Sequence, residues 1–247
     1  MIKIRCVYEH NGEDTILYSD NYIGAYTRGP SLNIAKGKMD QEINSYLRWC
    51  GKGLDEDAVI ELVQEKESNL QISDADSDVL FDTERGRLTG EEYKELKALA
   101  LKSAKDFLLL YEDVPDKNRS CLPHRETFYG EIPRTAEEMY VHTKNVNSYY
   151  FGEIGVEADN EGTILECRKR GFTLLEQMPE YLNNEVYEGS YGELWSLKKV
   201  LRRFIWHDRI HAKAMYRMAV RTFGEGVVTD RFYFNTPVPF ADNKEGH

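Results

Sequence analysis

The chain has little of three things that mark large protein classes: cysteine, long apolar runs and basic charge. Four cysteines occur in 247 residues: Cys6, Cys50, Cys121 and Cys167. They are widely spaced and form no Cys-x-x-Cys pair, which argues against a disulfide scaffold. No apolar run approaches the roughly 18–20 residues that a membrane helix needs, and the start carries no signal-peptide core. We therefore expect a reduced, soluble protein of the cytoplasm.

Basic residues are outnumbered, with 32 Lys and Arg against 43 Asp and Glu, and the formal net charge is −11. A surface this negative repels phosphates, so we expect neither nucleic acid nor a membrane as partner. Apolar residues make up 41% of the chain and charged residues 30%, a balance typical of globular proteins. The length fits one large domain or two small ones.

Residues 1–70 are predicted to form a small α+β unit. Alternating residues from Ile2 to Tyr8 indicate a half-buried strand, and Asn11-Gly12 is a strong hairpin signal. The returning strand would span 15–18, and a third strand 22–27. Ser31 then opens a predicted helix that ends near Gly51, and a second, acidic helix is predicted over 55–64.

Residues 71–88 are rich in aspartate and short of apolar residues, so we interpret them as an acidic linker. Asp74-x-Asp76-x-Asp78 imitates the start of a calcium loop. The sixth position of that loop is Val79 instead of Gly and the twelfth is Arg85 instead of Glu. The pattern therefore indicates a solvated run of charge.

Helical signals dominate from Thr89 onward. Capping boxes, in which a hydroxyl residue is followed three positions later by Glu, begin at Thr89, Thr135 and Thr163. A fourth helix begins at Ser190 or Ser196 and ends at Gly224. Four helices of this length predict a four-helix bundle over 89–225, followed by an extended tail over 226–247.

Two of the six histidines, His207 and His211, lie four residues apart on the fourth predicted helix. Such side chains are neighbours on one helix face, so both imidazoles can reach one ion at about 2.0–2.1 Å. They fall on an apolar stripe with a spacing of three and four residues: Leu197, Val200, Phe204, His207, His211, Ala214 and Met218. The stripe places both histidines inside the bundle.

His142 occupies the same kind of position on the second predicted helix, on a stripe with Met139, Val146 and Tyr149. We therefore predict that His142, His207 and His211 face one interior and ligate a divalent metal. The alternative is three core histidines whose nitrogens are satisfied by tyrosine hydroxyls or backbone. A metal satisfies several buried ring nitrogens at once.

The sequence identifies no catalytic residue, and Asp208, Tyr149 and Glu153 are candidates for a general acid or base beside the metal. Asp208 adjoins His207 and is a candidate for orienting its ring N–H. The alternative for Asp208 is a surface carboxylate or a salt bridge to Arg202 or Arg203.

Residues 89–223 resemble the DinB-like (YfiT-type) metalloenzyme superfamily. Trp195-Ser196 resembles its Trp-Ser/Thr helix start, Trp206-His207-Asp208-x-x-His211 resembles its Trp-His-Glu/Asp-x-x-His motif, and His142 matches its remaining ligand position. The resemblance implies a four-helix bundle with three histidine ligands for zinc or nickel, and a homodimer. The fold class expected is thus α+β, a small N-terminal unit, which resembles a HicB-type fold, followed by a DinB-like bundle.

Characterised members of that superfamily imply a thiol-dependent transferase or isomerase. Three neutral histidines leave an open metal position, where a water or a substrate thiol is activated. The hypothesis is therefore metal-assisted hydrolysis or thiol transfer on a small molecule, with zinc or nickel as the bound metal. Two alternatives stay open: a non-catalytic metal- or ligand-binding interaction module, and a zinc peptidase that uses Asp208 as its general base.

Overall fold

The computed structural model describes residues 2–52, 58–127 and 130–234. Within them the chain is mixed α and β, with a sheet in the N-terminal part and long helices in the C-terminal part. The principal strands are β1 (Ile2–His10), β2 (Thr15–Ser19), β3 (Tyr26–Gly29) and β4 (Ala58–Glu67). The helices are α1 (Leu32–Lys36), α2 (Met39–Trp49), α3 (Gly90–Asp113), α4 (Ala136–Gly152), α5 (Ile164–Leu175) and α6 (Leu197–Phe223).

The N-terminal sheet has the strand order β3-β2-β1-β4. β1 and β2 form the predicted antiparallel hairpin. In its turn the Asn11 side-chain oxygen accepts from the amides of Glu13 and Asp14, and Gly12 has φ +89°. That left-handed conformation explains why the turn takes the Asn-Gly pair. The third strand begins at Tyr26, later than predicted.

The acidic helix predicted over 55–64 is wrong from Ala58 onward, because this stretch is β4, which runs parallel to β1. Residues 53–57 lie outside the described residues. β-Branched Val59, Ile60 and Val63 favour a strand, and pairing with β1 supplies the main-chain hydrogen bonds. The glutamates between them suggested a helix. A strand tolerates them here because β4 lies at the edge of the sheet, where charged side chains at exposed positions stay in solvent.

The single helix predicted from Ser31 to Gly51 is two helices. Ser31 does cap α1, since its hydroxyl accepts from the Ile34 amide. The chain then breaks at Gly37 and Lys38 before α2 begins. Ile34 on α1 is 44% exposed, whereas Met39 and Ile43 on α2 are buried.

The acidic segment, residues 71–88, is packed against the rest of the molecule, which contradicts the solvated charge run predicted for it. Ile72, Val79 and Phe81 are buried within it. Glu84 is buried as well, and its carboxylate accepts from the guanidinium of Arg202 on α6. Partners on other elements thus neutralise acidic residues that look solvated in the sequence alone.

The starts of the four long helices are confirmed. Capping boxes at Thr89, Thr135 and Thr163 open α3, α4 and α5, and the hydroxyl of Ser196 caps α6. Ser190, the alternative start, lies in a single turn of 3-10 helix. α6 packs on α3 and α4, and α5 packs on the same two helices.

The sheet and the helices share a large apolar cluster, and a second, smaller cluster joins Tyr18 and Phe81 to Trp206 on α6. The backbone at Gly24 approaches α6 closely, since a Cβ there would lie 2.3 Å from Cγ2 of Ile205. After α6, residues 225–234 form turns that bury Val228 and Phe232, and Phe232 stacks on Trp49 at 5.4 Å between ring centroids. The remainder of the predicted tail, 235–247, lies outside the described residues.

Candidate metal centre

Two helices bring the three predicted histidines together. His207 and His211 stand one turn apart on α6, and His142 faces them from α4. Their ring centroids are 4.4 Å (His207 to His211), 4.7 Å (His142 to His211) and 5.1 Å (His142 to His207) apart. One nitrogen of each ring lies within 4.8 Å of the others.

These separations suit one divalent ion after small side-chain rotations. Ligand nitrogens about 2.0–2.1 Å from a tetrahedral ion lie roughly 3.3 Å from one another. Nδ1 of His207 is buried and has no hydrogen-bond partner among the described residues. An unsatisfied buried nitrogen costs about 1–3 kcal/mol, and an ion bound there would remove that cost. The donor set therefore fits a metal that accepts imidazole.

The site is open at one side. His207 is only 7% exposed, His211 is half-buried and His142 is exposed. The prediction that all three face the bundle interior is therefore wrong for His142, which lies at the rim. Of the predicted stripe on α4 only Met139 is buried, and the other buried positions of this helix are Ala136, Tyr140, Thr143, Asn147, Tyr150 and Phe151. A ligand can approach the three nitrogens from the His142 side.

Burial keeps the three imidazoles neutral, the form that binds metals. Desolvation holds the pKa of His207 well below its usual value, and the neighbouring His211 and His142 lower it further. Desolvation, with a contribution from His142, lowers the pKa of His211 to about 3. The protein around the His142 ring partly desolvates it, although the side chain reaches solvent at the rim, and this desolvation lowers its pKa as well.

Aromatic rings and one cation line the inner side of the cluster. The Tyr150 ring meets His207 edge-on at 6.0 Å, and the Trp206 ring lies 6.3 Å from it. Arg203, one turn before His207, places its guanidinium over the rings of Trp206 at 5.0 Å and Tyr150 at 5.5 Å. Its positive charge adds to the forces that keep His207 unprotonated.

Asp208 does not belong to this cluster, although it follows His207 in the chain. Its two oxygens accept from Arg168 on α5 at 2.9 and 3.2 Å, and one also accepts from the Ser103 hydroxyl at 2.6 Å. Asp208 and Arg168 are both fully buried. The sequence suggested a surface carboxylate, a partner in Arg202 or Arg203, or a role in orienting His207, and none of these describes its contacts.

Neither of the other two acid-base candidates, Glu153 and Tyr149, contacts the histidine cluster as predicted. The Glu153 carboxylate is buried and accepts from the Ser190 amide at 2.8 Å, which holds the turn before the short strand Leu194–Trp195. Tyr149 is 38% exposed and meets Trp195 edge-on at 5.8 Å. The tyrosine that contacts His207 is Tyr150, one residue further along.

Sequence reasoning missed a set of buried cations around α6: Arg168, Lys199, Arg202, Arg203 and Arg209. Four of them are neutralised by carboxylates from other elements: Arg168 by Asp208, Lys199 by Glu193, Arg202 by Glu84 and Arg209 by Glu42. One signal for these buried cations was available in the sequence: α6 is long and carries basic residues on every face. A helix buried all round must pair its charges with carboxylates. Glu193 lies only six residues before Lys199, but the other three partners lie far away in the chain, so the sequence could not name them.

No protein-family model, no curated protein and no solved structure matches this chain. Across the described ranges, no helix combines the length and apolar character needed to cross a bilayer. The resemblance to the DinB-like superfamily therefore stays with the motif residues that suggested it.

Proposed function

We propose that the protein is a divalent-metal-dependent enzyme that acts on a small molecule, by hydrolysis or thiol transfer. The observation that carries this proposal is the convergence of His142, His207 and His211 from two helices on one solvent-reachable point. Zinc or nickel suits a site made only of imidazoles. When bound, such an ion acts as a Lewis acid that lowers the pKa of a water or thiol.

The chain's own residues would hold and shape that site. His207 and His211 are fixed by the buried helix α6, and His142 closes the set from the exposed rim of α4. Tyr150 and Trp206 exclude water from the inner side of His207. Together with the motif residues, the arrangement of α3 to α6 supports the further proposal of a DinB-like bundle.

A second candidate, a non-catalytic metal-binding interaction module, is favoured by one specific observation. Asp208 and Glu153, the two carboxylates predicted as acid-base candidates, are both occupied by other partners. The same contacts of Asp208 speak against the zinc peptidase, which would need that carboxylate as a free general base. A homodimer is also proposed, and the exposed Val59, Leu62 and Val63 on edge strand β4 offer a surface for it.

The two candidates are separated by loading the protein with zinc or nickel and assaying both reaction types. Metal-stripped and reconstituted protein would be tested on ester, amide and phosphoester hydrolysis and on thiol transfer to electrophiles. If the protein is an enzyme, we expect turnover that requires the metal and is lost in His211→Ala. The matched control is His124→Ala, at an exposed loop position, which should leave turnover unchanged. Tight metal binding without turnover on any substrate would favour the interaction module.

A further inference from the structure

A cavity of about 620 Å³ lies between the sheet, α2 and the C-terminal half of α6, and the proposed metal-dependent function makes no use of it. Four of its lining side chains are cations: Arg28 on β3, Lys38 before α2, and Lys213 and Arg217 on α6. We call this the basic cavity. The chain as a whole carries a net charge of −11, so a concentration of positive charge here is unexpected.

Most of that positive charge is unpaired. Among the described residues, no carboxylate forms an ion pair with Arg28, Lys38 or Arg217. Lys213 does contact Glu42, at 3.2 Å, but that carboxylate is shared with buried Arg209 at 2.7 Å. Among the lining residues that the structure describes, the remaining acidic one is Asp14, on the turn between β1 and β2.

The cations are close enough to repel one another. Burial, and then the charges of Lys213, Arg28 and Arg217, lower the pKa of Lys38. The Lys38 ammonium donates to the backbone carbonyl of Arg28 at 2.7 Å, which fixes it at the cavity's edge. Like charges held together without a counter-charge raise the free energy of the protein, and a bound anion would lower it.

The remaining walls suit the apolar body of a small molecule. Tyr26 and Phe234 are buried aromatic residues in the lining, and the side chain of Ile210 on α6 also lines the cavity. A volume of about 620 Å³ is within the roughly 300–1,000 Å³ typical of small-molecule sites. The shape is concave, which fits a compact ligand better than a macromolecular surface.

We propose that the basic cavity is a binding site for a phosphorylated small molecule of about mononucleotide size. A phosphate monoester carries about −1.5 to −2 charge and three strong acceptor oxygens, so it matches several cations better than one carboxylate does. The guanidinium groups of Arg28 and Arg217 can each present two parallel N–H donors to a phosphate. The site is distinct from the three histidines, none of which lines the cavity.

The test is calorimetric titration of the full chain with adenosine 5′-monophosphate, pyrophosphate and uncharged adenosine, all in EDTA. EDTA removes metal from the histidines, because phosphates also bind metal ions. We expect saturable one-to-one binding of at least one phosphorylated probe below about 1 mM, and adenosine weaker by about tenfold or more. Saturable binding should weaken as salt is raised.

Variants then locate the binding. Arg217→Gln and Lys38→Gln, both at exposed positions of the rim, should each weaken binding by about tenfold, the loss expected for one charge-assisted contact. Arg87→Gln, an exposed cation outside the cavity, is the matched control and should bind as the wild type does. His207→Ala should also leave this binding unchanged.

Three results would overturn the proposal. One is no binding of either phosphorylated probe by the wild type at several millimolar. Another is binding that persists in Arg217→Gln and Lys38→Gln but is lost in His207→Ala, which would assign it to the histidine cluster. A third is equal binding of adenosine and its monophosphate. None of these results bears on whether the histidines hold a metal, which is measured separately.

Discussion

Asp208 and Arg168 meet in a two-point ion pair between α6 and α5, with both side chains fully buried. Asp208 follows His207 directly in the chain, but its carboxylate points to α3 and α5, where Ser103 supplies a third contact. Burial alone raises the pKa of Asp208, and the Arg168 charge and the hydrogen bonds from Arg168 and Ser103 oppose that rise. The pair therefore joins helices and takes no part in ligation.

Replacing Asp208 by Asn should destabilise the fold strongly and leave the metal site in place. Arg168 would keep its charge in a dry environment, and breaking a buried pair in this way costs about 3–5 kcal/mol. Urea unfolding measures the loss. Arg170→Met, two residues after Arg168, removes the exposed pair with Asp159 and should cost about 0–1 kcal/mol. Equal losses in the two variants would contradict the structural role of Asp208.

Gly171 on α5 should not tolerate even a methyl group. A Cβ there would lie 2.1 Å from Cε2 of Phe151, a ring that is fully buried and cannot withdraw. Gly171→Ala should therefore destabilise by about 1–3 kcal/mol, although alanine is the better helix former by about 1 kcal/mol. Gly152→Ala in α4, where nothing lies within 4 Å of the added atom, should be neutral or slightly stabilising. Thermal or urea unfolding of both variants checks this, and a stable Gly171→Ala would place α5 further from α4.

Glu9 on β1 should make stability depend on pH. Burial raises the pKa of Glu9 to about 6, against hydrogen bonds from the Ser77 hydroxyl at 2.5 Å and the Asp78 amide at 3.1 Å. The folded state thus favours the protonated carboxyl. Its stabilising contribution is complete below pH 4.5 and is lost as pH rises through about 6. The loss amounts to about 2 kcal/mol for a shift of this size.

The comparison variant for that effect is Glu9→Gln, which cannot titrate. Between pH 4.5 and pH 7, the unfolding free energy of the wild type should fall by about 2 kcal/mol relative to that of Glu9→Gln. Urea titrations at four pH values give the curve. A difference that is constant with pH, or that moves in the opposite direction, would show that Glu9 is not held in its protonated form.

Local signals in the sequence were sufficient for most helix starts and for the histidine cluster. A capping box needs only residues three apart, so Thr89, Thr135 and Thr163 are readable without knowing the fold. The His207 and His211 pair is also local. His142 required the assumption that α4 and α6 face one another, and the structure places it there, though at the rim.

What the sequence could not supply are pairings between distant residues. β4 is a strand because β1 lies alongside it, and the glutamates of β4 alone suggested a helix. The acidic segment 71–88 packs against the molecule because buried Glu84 pairs with Arg202 on α6, more than a hundred residues away. Asp208 was misassigned for the same reason, since its partner Arg168 belongs to another helix.

The central claim is that His142, His207 and His211 form one metal site, and zinc affinity measured by competition with a chromophoric chelator tests it most directly. The decisive variant is His142→Ala, because His142 is the ligand contributed by the second helix, with His124→Ala as the control. We predict one zinc per chain in the wild type and in His124→Ala, and an affinity at least about tenfold lower in His142→Ala. An unchanged affinity in His142→Ala, or no zinc bound by the wild type, would contradict the three-histidine site.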